Sequence, residues 1–242
     1  MDERFTRTSM LFGEQAVNKL NNSHIAIFGI GGVGGYVVEA LARSGIGTLD
    51  LIDKDTVSIS NINRQIIALT SSIGRPKAEL AAERAKDINP NIKVNVFNVF
   101  YTAETSKKFD FKNYDYIVDA IDTVSGKIEL IMQAKTAGVP IISSMGTGNK
   151  LDPSQLEIAD IYKTSVCPLA RVMRKELKSR GIKKLTVVYS KEQPVCPSSR
   201  EEDPVSHKII PASYACVPSA AGLIIASKVI RDISFANIQK NI

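Results

Sequence analysis

Two histidines, three cysteines and no tryptophan are spread over 242 residues, and each shortage removes a class of chemistry. His24 opens an apolar stretch and His207 sits in a charged loop, so no histidine-based triad is in view. Cys167, Cys196 and Cys216 are too far apart for a Cys-x-x-Cys pair. An odd number of such cysteines argues for reduced thiols and against a structural zinc site. No apolar stretch follows Met1-Asp2-Glu3-Arg4, and the longest apolar run, Ala220 to Ala226, is too short to span a bilayer. The expectation is a soluble, cytoplasmic protein with no membrane partner. A Walker phosphate loop is missing too: Gly126-Lys127 has neither the upstream glycine nor the following Ser or Thr.

What the chain has in abundance is glycine in one place. Phe28-Gly29-Ile30-Gly31-Gly32-Val33-Gly34-Gly35 lies between an apolar strand (His24 to Phe28) and an apolar helix (Val33 to Ala42). Gly29, Gly31 and Gly34 fit G-x-G-x-x-G, where missing side chains let backbone N–H groups approach a phosphate at a helix N-terminus. Asp53 ends the next strand, Leu49 to Ile52, where a ribose-binding acid belongs.

Further strands are expected at Lys93–Val99, Tyr116–Ile121 and Val139–Ser144, alternating with helices at Lys77–Ile88 and Ser125–Ala137. This alternation predicts an α/β fold, a doubly wound and mainly parallel Rossmann-like sheet binding its ligand at the carboxyl ends of the strands. The chain reads as one domain, with a nucleotide-binding part at 1–150 and a less regular C-terminal extension at 151–242 for substrate binding and dimerisation. In that extension, strands at Leu156–Tyr162 and Leu185–Ser190 flank a helix from Pro168 to Arg180. A long proline-bearing loop (190–214) precedes a last helix, Ser219 to Ile233, apolar on most faces.

Charge is unevenly placed. Residues 163–191 hold nine Lys or Arg against one acid, Glu176. At 100° per residue, Arg171, Arg174, Lys175 and Lys178 share the face opposite Leu169, Val172, Met173 and Leu177. A solvated helix face and an acidic partner such as nucleic acid both account for this.

The glycine turn and Asp53 alone suit an NAD-dependent oxidoreductase. That reading leaves Arg64, Lys77 and Asp122 unexplained, and all three fall where the topology can bring them to the same sheet edge. ATP-dependent carboxylate activation needs cations on the triphosphate and a metal on its oxygens. Arg64 and Lys77 can donate to phosphate, Asp122 can hold Mg²⁺, and Arg7 on the N-terminal arm can reach a neighbouring subunit. Each has a plainer alternative: Asp122 as a helix cap, Lys77 as a solvated first-turn residue, Arg7 and Arg64 in surface ion pairs.

Gly29-x-Gly31-Gly32-Val33-Gly34, Leu51-Ile52-Asp53-x-Asp55-x-Val57, Ser60-Asn61-x-Asn63-Arg64-Gln65, Gly74-x-Pro76-Lys77 and Asp119-Ala120-Ile121-Asp122, in this order, resemble the signature of the ubiquitin-activating superfamily of adenylating enzymes, which includes the molybdopterin and thiamine adenylyltransferases. Arg4-Phe5-Thr6-Arg7 resembles its N-terminal arginine motif. The resemblance implies a nucleotide site of Gly29, Gly31, Gly32, Gly34, Asp53, Asp55, Asn61, Arg64, Gln65 and Lys77, with Mg²⁺ on Asp122 and Arg7 acting across a homodimer. In the later third, Lys163-Thr164-Ser165-Val166-Cys167-Pro168-Leu169-Ala170-Arg171, the stretch around Tyr189 to Pro194, and Val217-Pro218-Ser219 resemble the tRNA threonylcarbamoyladenosine dehydratases. These cyclise a modified adenosine beside the anticodon with ATP and release AMP. That implies tRNA as partner, with Arg171, Arg174, Lys175 and Lys178 as contacts, and leaves room for a sulfur-transfer partner protein. Activation of a ubiquitin-like sulfur carrier is the alternative, although the paired Cys-x-x-Cys motifs of many such relatives are missing.

Overall fold

A computed structural model of the chain describes residues 2–199, 201–202 and 209–235. His207 and parts of the 190–214 loop lie outside the described residues. The elements are α1 (Thr6–Phe12), α2 (Glu14–Asn21), β1 (His24–Phe28), α3 (Gly34–Arg43), β2 (Thr48–Ile52), α4 (Lys77–Ile88) and β3 (Lys93–Phe97), then β4 (Tyr116–Asp119), α5 (Val124–Ala137), β5 (Ile141–Ser144), β6 (Leu156–Asp160), α6 (Pro168–Ser179), β7 (Thr186–Ser190) and α7 (Cys216–Phe235).

The seven strands form one sheet in the order β3-β2-β1-β4-β5-β7-β6. All neighbours are parallel except β6, which pairs antiparallel with β7 at the edge. Strand order reverses between β1 and β4, and such a switch point opens a crevice at the carboxyl ends of the two strands. One face of the sheet is covered by α3, α4 and α7 through residues such as Val37, Leu41, Ala78, Ala82, Ile225 and Val229. The other is covered by α5 and α6 through Leu130, Ile131, Ala134, Met173 and Leu177.

The fold class is as the sequence predicts, and the C-terminal third completes the sheet: β7 lies parallel to β5 and carries β6 outside it. The N-terminal arm is helical almost throughout, with Phe5 buried beside Gly45. Leu11 and Met10 are exposed. Helix α7 begins three residues before its expected start, because Pro218 in its first turn has no N–H to leave unpaired.

At the amino-terminal end of β1, His24 is structural. Its Nε2 lies 2.7 Å from Asp50 Oδ1, and buried Asp50 also accepts from Asn95 Nδ2 (2.6 Å) and the Tyr114 hydroxyl (2.8 Å). Burial alone would raise the Asp50 pKa, but these hydrogen bonds outweigh it and hold the carboxyl below its ordinary value. A carboxylate with a depressed folded pKa contributes stability above its unfolded pKa of about 3.9 and loses it as pH falls through the folded value. Tyr114→Phe is therefore expected to move the acid-unfolding midpoint to higher pH, read by circular dichroism between pH 2 and 6.

Candidate active site

The glycine turn is dictated by how closely β1 approaches β4. Gly29 has φ +90°, and a Cβ there would sit 2.5 Å from the Ala120 carbonyl oxygen. A Cβ at Gly34 would meet the Gly29 oxygen at 1.8 Å. Glycine is thus obligatory where α3 starts against the strand end. Gly34→Ala is expected to destabilise the fold by about 3 kcal/mol or more, because the obstruction is backbone. Thermal melting checks this, and the shift in melting temperature on adding ATP should shrink as well.

Asp53 shapes the turn from the end of β2. One carboxylate oxygen accepts from Ile30 N (2.7 Å) and the other from Asp55 N (2.8 Å). Burial raises its pKa, against the lowering effect of these backbone hydrogen bonds and of Lys77. Asp53 therefore tethers the glycine turn to the next strand, and its remaining lone pairs are what a ribose would meet.

Lys77, expected as a possible solvated residue, is buried at the start of α4, with Nζ 3.1 Å from Asp55 Oδ2. Asp55 is exposed, so this buried ammonium is anchored on its outward side. Arg64 is half-buried and donates Nη1 to Ser60 O (2.8 Å) and Asn63 Oδ1 (3.1 Å). It has no acidic partner among the described residues, and burial lowers its pKa. Asn61 spends its Oδ1 on Ser58 N (3.2 Å), which leaves its amide nitrogen for a ligand. The Gln65 carboxamide oxygen is buried with no partner among the described residues, and its Nε2 lies 3.9 Å from where a Gly31 Cβ would be. Gly32 sits against Arg64 and Pro218, which brings the start of α7 to the same place. A glycine cradle, an orphaned buried carboxamide and two oriented cations fit a nucleoside triphosphate.

Asp122 follows β4 across the switch point and is exposed. It does not cap α5: the N-cap is Thr123, which itself makes no side-chain capping bond. Among the described residues its carboxylate has no protein partner, the condition in which one acid plus substrate phosphates suits Mg²⁺. Arg7 is exposed on α1 with no ion pair among the described residues.

The four cations of α6 differ in exposure. Arg171, Lys175 and Lys178 are exposed, whereas Arg174 is half-buried and donates to the Thr164 carbonyl (3.1 Å) and hydroxyl. Its guanidinium also ties α6 to the preceding loop. Of the cysteines, Cys167 is the buried N-cap of α6, and Cys196 and Cys216 are exposed.

Reading by motif missed a buried polar cluster behind Asp122. Lys127 Nζ lies 3.1 Å from Asp119 Oδ1, 3.3 Å from Ser143 Oγ and 2.8 Å from the Ser144 carbonyl, and Ser143 donates to Asp119. Asp119 Oδ1 also accepts from Ile121 N (3.2 Å), inside the turn that carries Asp122. A signal was there: Lys127 occupies the apolar stripe of Leu130, Ile131 and Ala134, at positions one helix face apart.

Residues 5–240 match the ThiF family. The chain belongs to the ThiF family. Among ThiF relatives, the tRNA threonylcarbamoyladenosine dehydratase of Bacillus subtilis is 42% identical over 242 residues, covering 96% of this chain and 95% of that protein. The crystal structure of the E. coli tRNA N6-threonylcarbamoyladenosine dehydratase TcdA with AMP superposes with a TM-score of 0.89 at 35% identity, covering 99% of this chain and 96% of that one. Its complex with ATP superposes with a TM-score of 0.88 at 34% identity and the same coverage. This ThiF chain therefore shares both sequence and architecture with dehydratases along nearly its whole length. No helix among its described residues is long and apolar enough to cross a membrane.

Proposed function

We infer that this protein is an ATP-dependent tRNA threonylcarbamoyladenosine dehydratase. One observation carries the chemistry: the glycine turn, Asp53, Gln65, Arg64 and the Lys77–Asp55 pair meet at one sheet edge, with 42% identity to a dehydratase over nearly the whole chain. The NAD reading explains the turn but gives no work to the cations.

The reaction has two stages. A carboxylate oxygen of the substrate attacks the α-phosphorus of ATP, forming an acyl–O–P bond and expelling pyrophosphate. A urea nitrogen of the same nucleoside then attacks the acyl carbon, loses its proton and expels AMP, so the nucleoside has lost one water in total. The protein's task is electrostatic: Arg64 and Lys77 offset phosphate charge, and their anchors Ser60, Asn63 and Asp55 fix them before the ligand arrives. Asp122 would hold Mg²⁺, which supplies further charge neutralisation on phosphate oxygens. The cyclisation is intramolecular, so no covalent enzyme intermediate is required and the cysteines have no necessary part. Incubating the protein with ATP, Mg²⁺ and threonylcarbamoylated tRNA should release AMP and remove 18 Da from the nucleoside; an unchanged nucleoside mass refutes the assignment.

Two partners complete the proposal. A homodimer would cover Met10 and Leu11, which are 82% and 77% exposed on α1, and would let Arg7 on the same helix act in the other subunit's site. The tRNA would lie along the exposed cations of α6. Reversing Arg171, Lys175 and Lys178 to Glu should weaken tRNA binding by at least about tenfold and reduce its salt dependence. ATP affinity, measured calorimetrically on the same variant, should be unchanged; equal losses would mean misfolding. The cytoplasm is the expected location. A sulfur-transfer partner has no observation in its favour and is not part of the proposal.

A further inference from the structure

We propose that the outer face of α5 forms a groove for an unpaired nucleotide of the RNA substrate, with Glu129 and Gln133 reading the base and Lys135 and Lys184 taking its phosphates. Ile128, Glu129, Met132, Gln133 and Thr136 recur every three or four residues, so they share the helix face opposite Leu130, Ile131 and Ala134, which pack on the sheet. They line a groove of about 650 Å³, walled by Tyr101 to Ala103 and by Arg180. A Gly126 Cβ would lie 3.4 Å from the Tyr101 carbonyl oxygen, which sets that wall over the first turn of α5. Ser125, the groove residue nearest the start of the helix, comes three residues after Asp122. From there to Thr136 the groove follows α5 for about 16 Å. It therefore begins beside the switch-point edge and leads away from it.

Two polar groups of the groove are left wanting. Tyr101 is 4% exposed, and its hydroxyl is buried with no hydrogen-bond partner among the described residues, a state that costs free energy until an acceptor arrives. Burial raises its pKa, and nearby Glu129 and Asp119 act the same way, so it remains a donor. Glu129 is half-buried with no ion pair among the described residues. One of its oxygens accepts from Gln133 Nε2 (2.8 Å), which leaves the other, and the Gln133 carboxamide oxygen, as free acceptors. Adjacent acceptors and a buried donor suit the edge of a base with an exocyclic amino group, such as adenine or cytosine. Ile128 and Met132 supply apolar surface for its flat face. Toward the end of α5 the charge has the sign for phosphate. Partial burial and the nearby Lys184 lower the Lys135 pKa, against the effect of Asp160. Asp160 spends its oxygens on Tyr162 N (2.9 Å) and Leu185 N (3.2 Å). Arg180 is paired with Glu176, whereas Lys183 and Lys184 are exposed with no ion pair among the described residues. Two neighbouring lysines repel, and a phosphate between them offsets the repulsion. Exposed Lys175 and Lys178 continue the positive surface along α6.

That the RNA is a tRNA rests on the dehydratase reading; the groove is tested without it. Kd is measured for oligo(A), oligo(C) and oligo(U) RNA of equal length on wild type, on Glu129→Ala and on a double variant carrying Lys135→Glu and Lys184→Glu. Wild type should bind oligo(A) and oligo(C) about tenfold more tightly than oligo(U), and Glu129→Ala should bind all three alike. The lysine variant should keep the order of preference, lose at least about tenfold on each RNA and show a smaller salt dependence. ATP affinity and melting temperature of both variants should stay near wild type, because these side chains lie outside the nucleotide site and the core. Equal Kd for the three RNAs on wild type overturns the proposal, as does a preference that survives Glu129→Ala, an unchanged affinity in the lysine variant, or a wild type that binds no RNA. AMP release by wild type from threonylcarbamoylated tRNA reads the dehydratase assignment separately. If it fails while base preference still depends on Glu129, the activity falls and the groove stands; if it succeeds without that preference, the groove falls and the activity stands.

Discussion

Asp122→Ala is expected to reduce AMP release by roughly 10² to 10³ while leaving the melting temperature nearly unchanged, and Arg64→Ala should show a similar loss of rate. The pairing of a large kinetic effect with a small thermal one follows from position. Asp122 is exposed, caps no helix and has no protein partner among the described residues, so the folded chain loses no contact when the carboxylate goes. Surface changes of this kind usually stay within about 0.5 kcal/mol. Arg64 is held by Ser60 and Asn63, both acceptors on the surface, and it leaves no buried charge behind. Pyrophosphate release, AMP release and melting are measured on the same preparations. Near-normal rates for Asp122→Ala would return it to an ordinary loop acid and remove the metal assignment.

Lys127→Met should do the opposite, lowering stability by about 3–5 kcal/mol, since it leaves the fully buried Asp119 carboxylate without its cation. For a chain of this size that is a fall in melting temperature on the order of 10 °C. The damage should spread to the site, because Asp119 also accepts the Ile121 N–H that forms the Asp122 turn. Replacing Asp119 and Lys127 together by Asn and Met should recover part of the stability, as removing both charges costs less than stranding one. Denaturant melts of the two single variants and the double variant give the coupling. Additive effects would contradict the ion pair.

Much of this architecture is legible from local pattern. Apolar runs such as Tyr116–Ile121 mark parallel strands, and the glycines mark the place where α3 touches β1, because both signals come from residues close in sequence. What brings β6 and β7 into the main sheet is long-range pairing, with Ser144 beside Val188 and Leu156 opposite Ser190, and no local pattern encodes it. Site residues divide in the same way. Asp53, Lys77 and Arg64 are readable as types at the right spacing, yet that Asp53 is bound to the glycine turn and Lys77 to Asp55 appears only in three dimensions. Arg174 shows the limit of the helical wheel. It points away from the apolar stripe, but Thr164 from the preceding loop captures it.

The central claim is that the substrate carboxylate is joined to the α-phosphorus before the ring closes. Threonylcarbamoylated tRNA labelled with ¹⁸O in that carboxylate tests it directly, with the released AMP examined by mass spectrometry. Adenylation predicts AMP heavier by one ¹⁸O atom, the carboxylate oxygen having left with the phosphate. Unlabelled AMP formed alongside the cyclised nucleoside would contradict the account.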